Sequence, residues 1–184
     1  MRNIVVSSPK YGDIDINGNA KFGSWKEFIL DIRNDYYDGK QFIFENTFWE
    51  KSIYDRIIFE LENTIQFLPE DKYLIHGDLG HDNTFVRDQK IVAITDWEES
   101  KYGDFVYDIA WLDFWGTSLD YASKFLQYFK SLGEDHKNYQ KRLYCYQCHI
   151  GLGTLAFYVK TGQKDNYNRA KERILNLCKS SKPE

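Results

Sequence analysis

Apolar residues in this chain fall first at helical intervals, then in short strand-like runs, then at helical intervals again. Ser24-Trp25-Lys26-Glu27 reads as a capping box, with the serine capping a helix start while Glu27 reaches back. Trp25, Phe28, Ile29 and Ile32 follow at the spacing of one helix face, and Asp38-Gly39 ends that segment. A second helix is expected from Thr47, with Glu50 as its box partner. Ile53, Ile57, Leu61 and Ile65 form its apolar stripe, and Pro69 closes it. Ahead of these helices, residues 1–23 read as irregular or weakly extended, punctuated by Gly12, Gly18 and Gly23.

The period changes near residue 73. Residues 73–75 make a short apolar strand that runs into a polar loop at 76–83. Residues 84–86 and 91–94 are two β-rich runs joined at Asp88-Gln89, so a small hairpin is expected. Helical patterning returns over 105–116, 119–131, 136–160 and 165–179, with Asp165 as a cap for the last. Helices, a loop-hairpin insert and further helices together describe one helix-rich α+β domain spanning 1–184.

Composition narrows the class. With 42% hydrophobic and 17% aromatic residues over 184 positions, the chain can bury a substantial core and is not a disordered sequence. A formal charge of −4, with no dominating Lys/Arg cluster, gives no electrostatic case for nucleic acid. No segment approaches the roughly 20 apolar residues of a membrane span, so no membrane partner is expected. Three cysteines, a small odd number, suggest a reducing compartment, and the expected location is cytoplasmic.

The polar loop carries the chemistry. It reads His76-Gly77-Asp78-Leu79-Gly80-His81-Asp82-Asn83, followed after the hairpin by Ile94-Thr95-Asp96-Trp97-Glu98. A carboxylate in a loop after a strand can align a hydroxyl and take its proton late in a transfer. Mg²⁺ prefers oxygen ligands and needs only one or two from protein when phosphates and water supply the rest. Asn83 offers a neutral oxygen and Asp96 a charged one, and the hairpin can return Asp96 beside Asn83. Asp78 and Asp96 alone would also suit a metal-dependent hydrolase, but no further His/Asp ligand cluster accompanies them.

Three strings occur in order: His76-Gly77-Asp78-Leu79 with Asn83, then Ile94-x-Asp96-Trp97-Glu98, then Gly103-Asp104-x-x-Tyr107-Asp108-Ile109-Ala110. Together they resemble the aminoglycoside phosphotransferase and choline kinase-like family, a relative of the protein kinases. Tyr11-Gly12-Asp13-Ile14-Asp15 through Phe22-Gly23-Ser24-Trp25 resembles the segment after the interlobe hinge in its hygromycin-type branch. The resemblance implies a kinase-like C-terminal lobe. Its parts are a post-hinge segment (1–23), helices (24–70), a catalytic loop and metal hairpin (73–98) and C-terminal helices (104–180). It implies Asp78 as catalytic base, and Asn83 and Asp96 as ligands of Mg²⁺ on ATP or GTP. Phe85 would floor the adenine site, with Thr95 where many relatives carry a bulkier apolar group. His76 would brace the backbone near Asp96. Asp104 and Asp108 would tie the loop after Asp96 to the next helix, and Glu98 and Glu99 would face a cationic substrate.

Such enzymes also need a loop over the phosphates and a strand lysine braced by a helix glutamate. Gly12, Gly18 and Gly23 do not form that loop, and neither Lys10 nor Lys21 lies in a Val-Ala-Ile-Lys-like strand. The expectation is a C-terminal lobe whose N-terminal lobe is missing from these residues or supplied by another chain. The functional reading is transfer of a γ-phosphoryl group to a hydroxylated small molecule, most like an aminoglycoside-type antibiotic. The alternative is a non-catalytic binding module derived from such a lobe.

Two other strings invite function. Cys145-Tyr146-Gln147-Cys148-His149 matches a haem-attachment pattern but falls inside an aromatic-rich helical stretch, where its cysteines read as small core residues. Asp13-Ile14-Asp15-Ile16-Asn17-Gly18 opens like a calcium loop, yet Ser24 stands where the bidentate glutamate belongs, so a turn is expected. Trp111, Trp115, Tyr144, Tyr146 and Tyr158 could line a substrate pocket, but at helical spacing they are expected in the core.

Overall fold

The computed structural model describes residue 6 and residues 8–34, 40–116 and 119–180. In chain order its elements are β1 (Gly12–Asp13), α1 (Trp25–Asp31), α2 (Lys40–Asn46), α3 (Lys51–Thr64), β2 (Tyr73–Ile75), β3 (Thr84–Arg87), β4 (Lys90–Ile94), β5 (Lys101–Gly103), α4 (Val106–Trp115), α5 (Tyr121–Ser131), α6 (Tyr139–Lys160) and α7 (Lys164–Ser180). This is the helix-rich α+β architecture that the patterning implies.

The first helix starts as expected. Ser24 Oγ accepts from the Glu27 amide at 3.1 Å, and the Glu27 carboxylate accepts from the amides of Gly23 and Ser24. The expected stop at Asp38-Gly39 lies outside the described residues. The second expected helix is divided. Thr47 ends α2 instead of opening α3, because its hydroxyl donates to the Ile43 carbonyl at 2.8 Å. Glu50 precedes α3 but makes no side-chain cap; its carboxylate pairs with Lys171 of α7. On α3, Tyr54, Ile57 and Leu61 are buried along one face. Asp165 lies in the first turn of α7 instead of capping it.

A three-stranded antiparallel sheet, ordered β1-β5-β2, joins the start of the described chain to the strand before Asp78. β5 was not expected, since Lys101-Tyr102-Gly103 has no apolar alternation. Tyr73 pairs with Gly103 and Ile75 with Lys101, so β5 lies between β1 and the strand leading to Asp78. β3 and β4 form the separate hairpin, turning at Asp88 and Gln89, both with positive φ as a two-residue twisted turn requires. The calcium-like string is the expected turn, of a different kind: Asp15 Oδ1 accepts from the amides of Asn17 and Asn19.

α6 is the central helix, packed against α3, α4 and α7. It is buried nearly all round, as expected for a helix enclosed by others. The haem-like string is absorbed here, with Cys145 and Cys148 in the core and burial pushing the Cys145 thiol up to about 12. No cluster of three or more His, Cys, Asp or Glu suited to a metal exists among the described residues. None of the described helices is long and apolar enough to cross a membrane.

One buried charge cluster ties the layers together. Asp104, with no solvent exposure, accepts from Arg142 Nε at 2.8 Å, from Arg142 Nη2, from Tyr146 Oη at 2.6 Å and from the Val106 amide at 3.2 Å. Tyr146 in turn accepts from Trp25 Nε1 at 2.9 Å, so α1, α4 and α6 meet at one carboxylate. Removing one partner of a buried pair leaves an uncompensated charge. Arg142→Ala is therefore expected to lower stability by about 3–5 kcal/mol in urea denaturation, with an Asp104→Asn, Arg142→Met double variant recovering part of the loss.

His149 supplies a second check. Burial, assisted by the Lys101 charge, holds its pKa down to about 3, against 6.5 for a free histidine. The unfolded chain accepts a proton that the folded chain refuses, so this contribution is complete above about pH 6.5 and is lost as pH falls toward 3. His149→Phe is expected to flatten that part of the melting temperature versus pH curve.

Candidate active site

The loop after β2 is held from below. The two oxygens of the Asp108 carboxylate on α4 each accept one backbone amide, from His76 and from Gly77, both at 2.9 Å. Burial pushes the Asp108 carboxyl upward, opposed by those same two bonds. Gly77 has φ of +85°, and a Cβ there would lie 2.0 Å from the Glu99 carbonyl oxygen, so only glycine admits this close approach. Asp104 and Asp108 thus divide a task expected of both. Asp104 anchors the start of α4, whereas Asp108 reaches back to the loop at His76 and Gly77, not to the loop after Asp96.

His76 is fully buried beside the ring of Trp97. Its Nδ1 accepts from the Asp78 amide at 3.3 Å, which places the ring proton on Nε2, and Nε2 donates to the Thr95 carbonyl at 2.8 Å. One imidazole therefore spans the residue before Asp96 and the backbone of Asp78. The base of the hairpin closes the same way: the Thr95 amide donates to the Asn83 carbonyl at 3.0 Å, and Trp97 Nε1 donates to the Ile94 carbonyl.

These bonds bring Asp78, Asn83 and Asp96 to one place. Asn83 Nδ2 donates to the Asp78 carbonyl at 2.9 Å and to Asp78 Oδ2 at 3.3 Å, which leaves Asn83 Oδ1 free to face a cation. Asp96 is exposed with φ of +64°, a left-handed conformation that aspartate tolerates better than most residues. Partial burial raises the Asp78 pKa above the ordinary carboxylate value. The Asn83 bond and His76 oppose that rise, while the charges of Asp96 and Glu99 add to it. A carboxyl so raised is a better proton acceptor than a free one.

A cavity of about 560 Å³ opens beside Asp78. It runs along the loop from Leu79 to Asn83 and is walled by Trp111, Trp115 and Tyr121. Trp111 and Trp115 thus line a pocket, contrary to the expectation of core placement; Tyr146 is in the core as expected. His81 and Asp82, for which the sequence suggests no role, also line it, and Tyr121 Oη lies 2.9 Å from His81 Nε2. The signal available for them was their place in the loop between Asp78 and Asn83. The remaining expected residues sit at the periphery. Phe85 on β3 and Thr95 are exposed, as are Glu98 and Glu99, and Glu99 turns its carboxylate to Lys101.

A strand, a braced Asp-x-x-x-x-Asn loop and a hairpin returning an aspartate define a kinase-like phosphotransferase lobe. The profile described as the phosphotransferase enzyme family matches residues 36–140, more than half of the chain, and the chain belongs to that family. It is similar to the hygromycin-B 4-O-kinase of Escherichia coli, with 26% identity over 170 residues, covering 92% of this chain and 49% of the relative. The chain therefore spans about half the length of that curated relative. Among solved structures, aminoglycoside phosphotransferase APH(4)-Ia superimposes with a TM-score of 0.80 at 24% identity, over 99% of this chain and 61% of that one. A thermostable mutant of the same enzyme, in a ternary complex with ADP and hygromycin B, gives 0.79 at 23% identity, over 97% and 59%. A macrolide 2'-phosphotransferase type I gives 0.55 at 14% identity, over 81% and 47%.

Asp108→Asn tests the brace beneath the loop. An asparagine offers one carbonyl oxygen to two amides, so one buried N–H loses its acceptor, at a cost of about 1–3 kcal/mol. Faster hydrogen exchange at the His76 or Gly77 amide, with α6 amides slowed or hastened only through the global loss, is the expected outcome.

Proposed function

We propose that this chain is the base-and-metal lobe of a phosphotransferase that moves the γ-phosphoryl group of ATP or GTP to a hydroxyl of a small molecule, most like an aminoglycoside-type antibiotic. The observation that carries this reading is the convergence of Asp78, Asn83 and Asp96 through the His76 and hairpin bonds, with a ring-lined cavity opening beside Asp78.

In this reading Asp78 orients the acceptor hydroxyl and takes its proton late in transfer. The aromatic wall of Trp111, Trp115 and Tyr121 positions the acceptor, and such positioning accounts for much of the rate in phosphoryl transfer. The oxygens of Asn83 and Asp96 suit a hard cation, and both would hold Mg²⁺, which when bound neutralises charge on the phosphates. Phe85 and Thr95 would lie under the nucleotide base. The phosphate-covering loop and strand lysine are not found in these 184 residues. Single elements of that kind contribute on the order of 10²–10³ in rate. The chain by itself is therefore expected to transfer phosphate slowly or not at all.

Calorimetric titration of Mg²⁺–ATP and Mg²⁺–GTP, run alongside a phosphate-transfer assay over an aminoglycoside panel, tests the assignment. Asp96→Ala is expected to abolish magnesium-dependent nucleotide binding. Asp78→Asn is expected to leave that binding intact and lower any measurable transfer by about 10²–10⁴. Nucleotide binding that ignores Asp96→Ala removes the metal assignment, and transfer at an ordinary kinase rate by the isolated chain removes the half-site reading.

A further inference from the structure

A separate cavity, of about 330 Å³, lies between the C-terminal ends of α4 and α6 and the first half of α7. None of the residues from Asp78 to Asn83 lines it. We infer that it is a binding site for a small aromatic carboxylate, a flat apolar ring bearing one anionic group. Nothing in the site requires phosphate transfer, so it stands or falls apart from the proposed function.

The charge comes from one face of α7. Asn166, Arg169, Ala170 and Arg173 stand at i, i+3, i+4 and i+7, and all four line the cavity. Arg33 and Arg142 each meet a carboxylate, that of Glu62 and that of Asp104. Among the described residues Arg169 and Arg173 meet none, although Asp165 and Glu172 lie on the same helix. The Asp113 carboxylate, on neighbouring α4, is taken by the Ala122 amide at 2.9 Å and by Gln147 Nε2 at 2.8 Å. Like charges one helical turn apart destabilise a helix, and an anion between them removes that cost.

Arg173 is fixed in place but underused. Its Nη2 donates to the carbonyls of Asp113 at 2.7 Å and Gly116 at 3.4 Å, at the end of α4. Its Cζ lies 5.3 Å from the centre of the Phe114 ring. Nε is buried with no hydrogen-bond partner, and Nη1 makes no bond among the described residues. A cationic donor taken out of water without an acceptor is costly. The guanidinium is planar, and its parallel N–H groups match the geometry of a carboxylate. Nη1 and the Arg169 guanidinium are the groups that would meet one.

The walls suit a ring. Trp115 is exposed and Tyr158 half-buried, and both line the cavity. Phe114 meets Trp115 edge to face with centroids 5.1 Å apart, which sets the indole plane. Ala170 stands between the two arginines, and its small side chain leaves the space that a larger one would fill. Sites for drug-sized molecules run from roughly 300 Å³ upward, so a cavity of this size favours a single ring over an extended ligand. A bare phosphate would satisfy the arginines and leave the rings uncovered, whereas an aromatic carboxylate answers both. Trp115 also lines the cavity beside Asp78, so a ligand stacked here would order a wall common to the two.

Benzoate, benzyl alcohol and inorganic phosphate serve as probes. Each is titrated into the full chain at one low ionic strength and followed by the NMR signals of the tryptophan indoles and the arginine Nε groups. Benzoate is expected to move the Trp115 indole and Arg173 Nε signals together and saturably. Benzyl alcohol keeps the ring without the charge, phosphate keeps the charge without the ring, and each is expected to bind on the order of tenfold more weakly. Arg169 is exposed, so Arg169→Gln is expected to keep the melting temperature while lowering benzoate affinity about tenfold. Arg173→Lys keeps the charge and loses the planar fork, with a similar loss expected; if that variant does not fold, Arg169→Gln decides. Four results overturn the site: no saturable response, equal binding of benzyl alcohol, phosphate binding as tightly as benzoate, or affinity unchanged in Arg169→Gln. A response at Trp111 without one at Arg173 Nε puts the ring beside Asp78 and overturns it as well.

Discussion

The structure depends on a carboxylate that cannot reach water. Asp104 has no exposed surface, and its two oxygens take four hydrogen bonds from two elements, α4 and α6. A buried ion pair brings little net stability by itself, because desolvation offsets the attraction. What it brings here is position. Only one placement of α6 offers Arg142 and Tyr146 to Asp104 together, and Tyr146 then fixes Trp25 through the indole N–H. The first turn of α4 is thereby set against α6 and α1.

From that fixed turn the site is built outward along α4. Asp108 lies one turn past Asp104 and clamps the amides of His76 and Gly77. Gly77 is pressed against the Glu99 carbonyl, and Lys101 donates to that same carbonyl. His76 carries the constraint across to Thr95, next to Asp96. Each step is short and buried or half-buried, so a displacement of α4 would be felt at Asp78 and Asp96 together. The same helix presents Trp111 and Trp115 to the cavity beside Asp78, which makes α4 both foundation and wall.

Much of this was legible in the sequence, for reasons that differ by element. The capping box at Ser24, the apolar stripe of α3 and the helices from α4 onward follow from periodicity, which reports burial directly. The loop residues Asp78, Asn83 and Asp96 stand out because their types and spacing are rare outside one chemistry. What could not be read depended on partners distant in sequence. Thr47 reads as a helix start because its hydroxyl can cap forward, yet it donates backward to Ile43 and ends a helix. β5 is a strand only because β1 and β2 pair with it on either side. Lys101 and His149 look like an ordinary surface lysine and part of a haem-like string, and it is tertiary enclosure that gives each its character. Trp111 and Trp115 obey the helical period but face an opening, since periodicity gives the face of a helix without saying what covers it.

The hairpin shows where rigidity stops. A two-stranded ribbon alone is marginal in water. This one is secured at its base, where Thr84 Oγ1 donates to the Gly80 carbonyl, Thr95 to Asn83, and Trp97 to Ile94. Toward its tip Phe85, Val86, Ile91 and Val92 are all more than half exposed. Asn83 and Asp96 are both at the secured end, so their separation is fixed by half-buried bonds at the base and does not depend on the tip. Conversely, a ligand or chain segment covering the apolar tip would gain hydrophobic contact without disturbing the two oxygens at the base. The structure thus separates the requirement for exact placement, met by hydrogen bonds around His76, from the requirement for apolar surface, met by side chains that the same ribbon leaves uncovered.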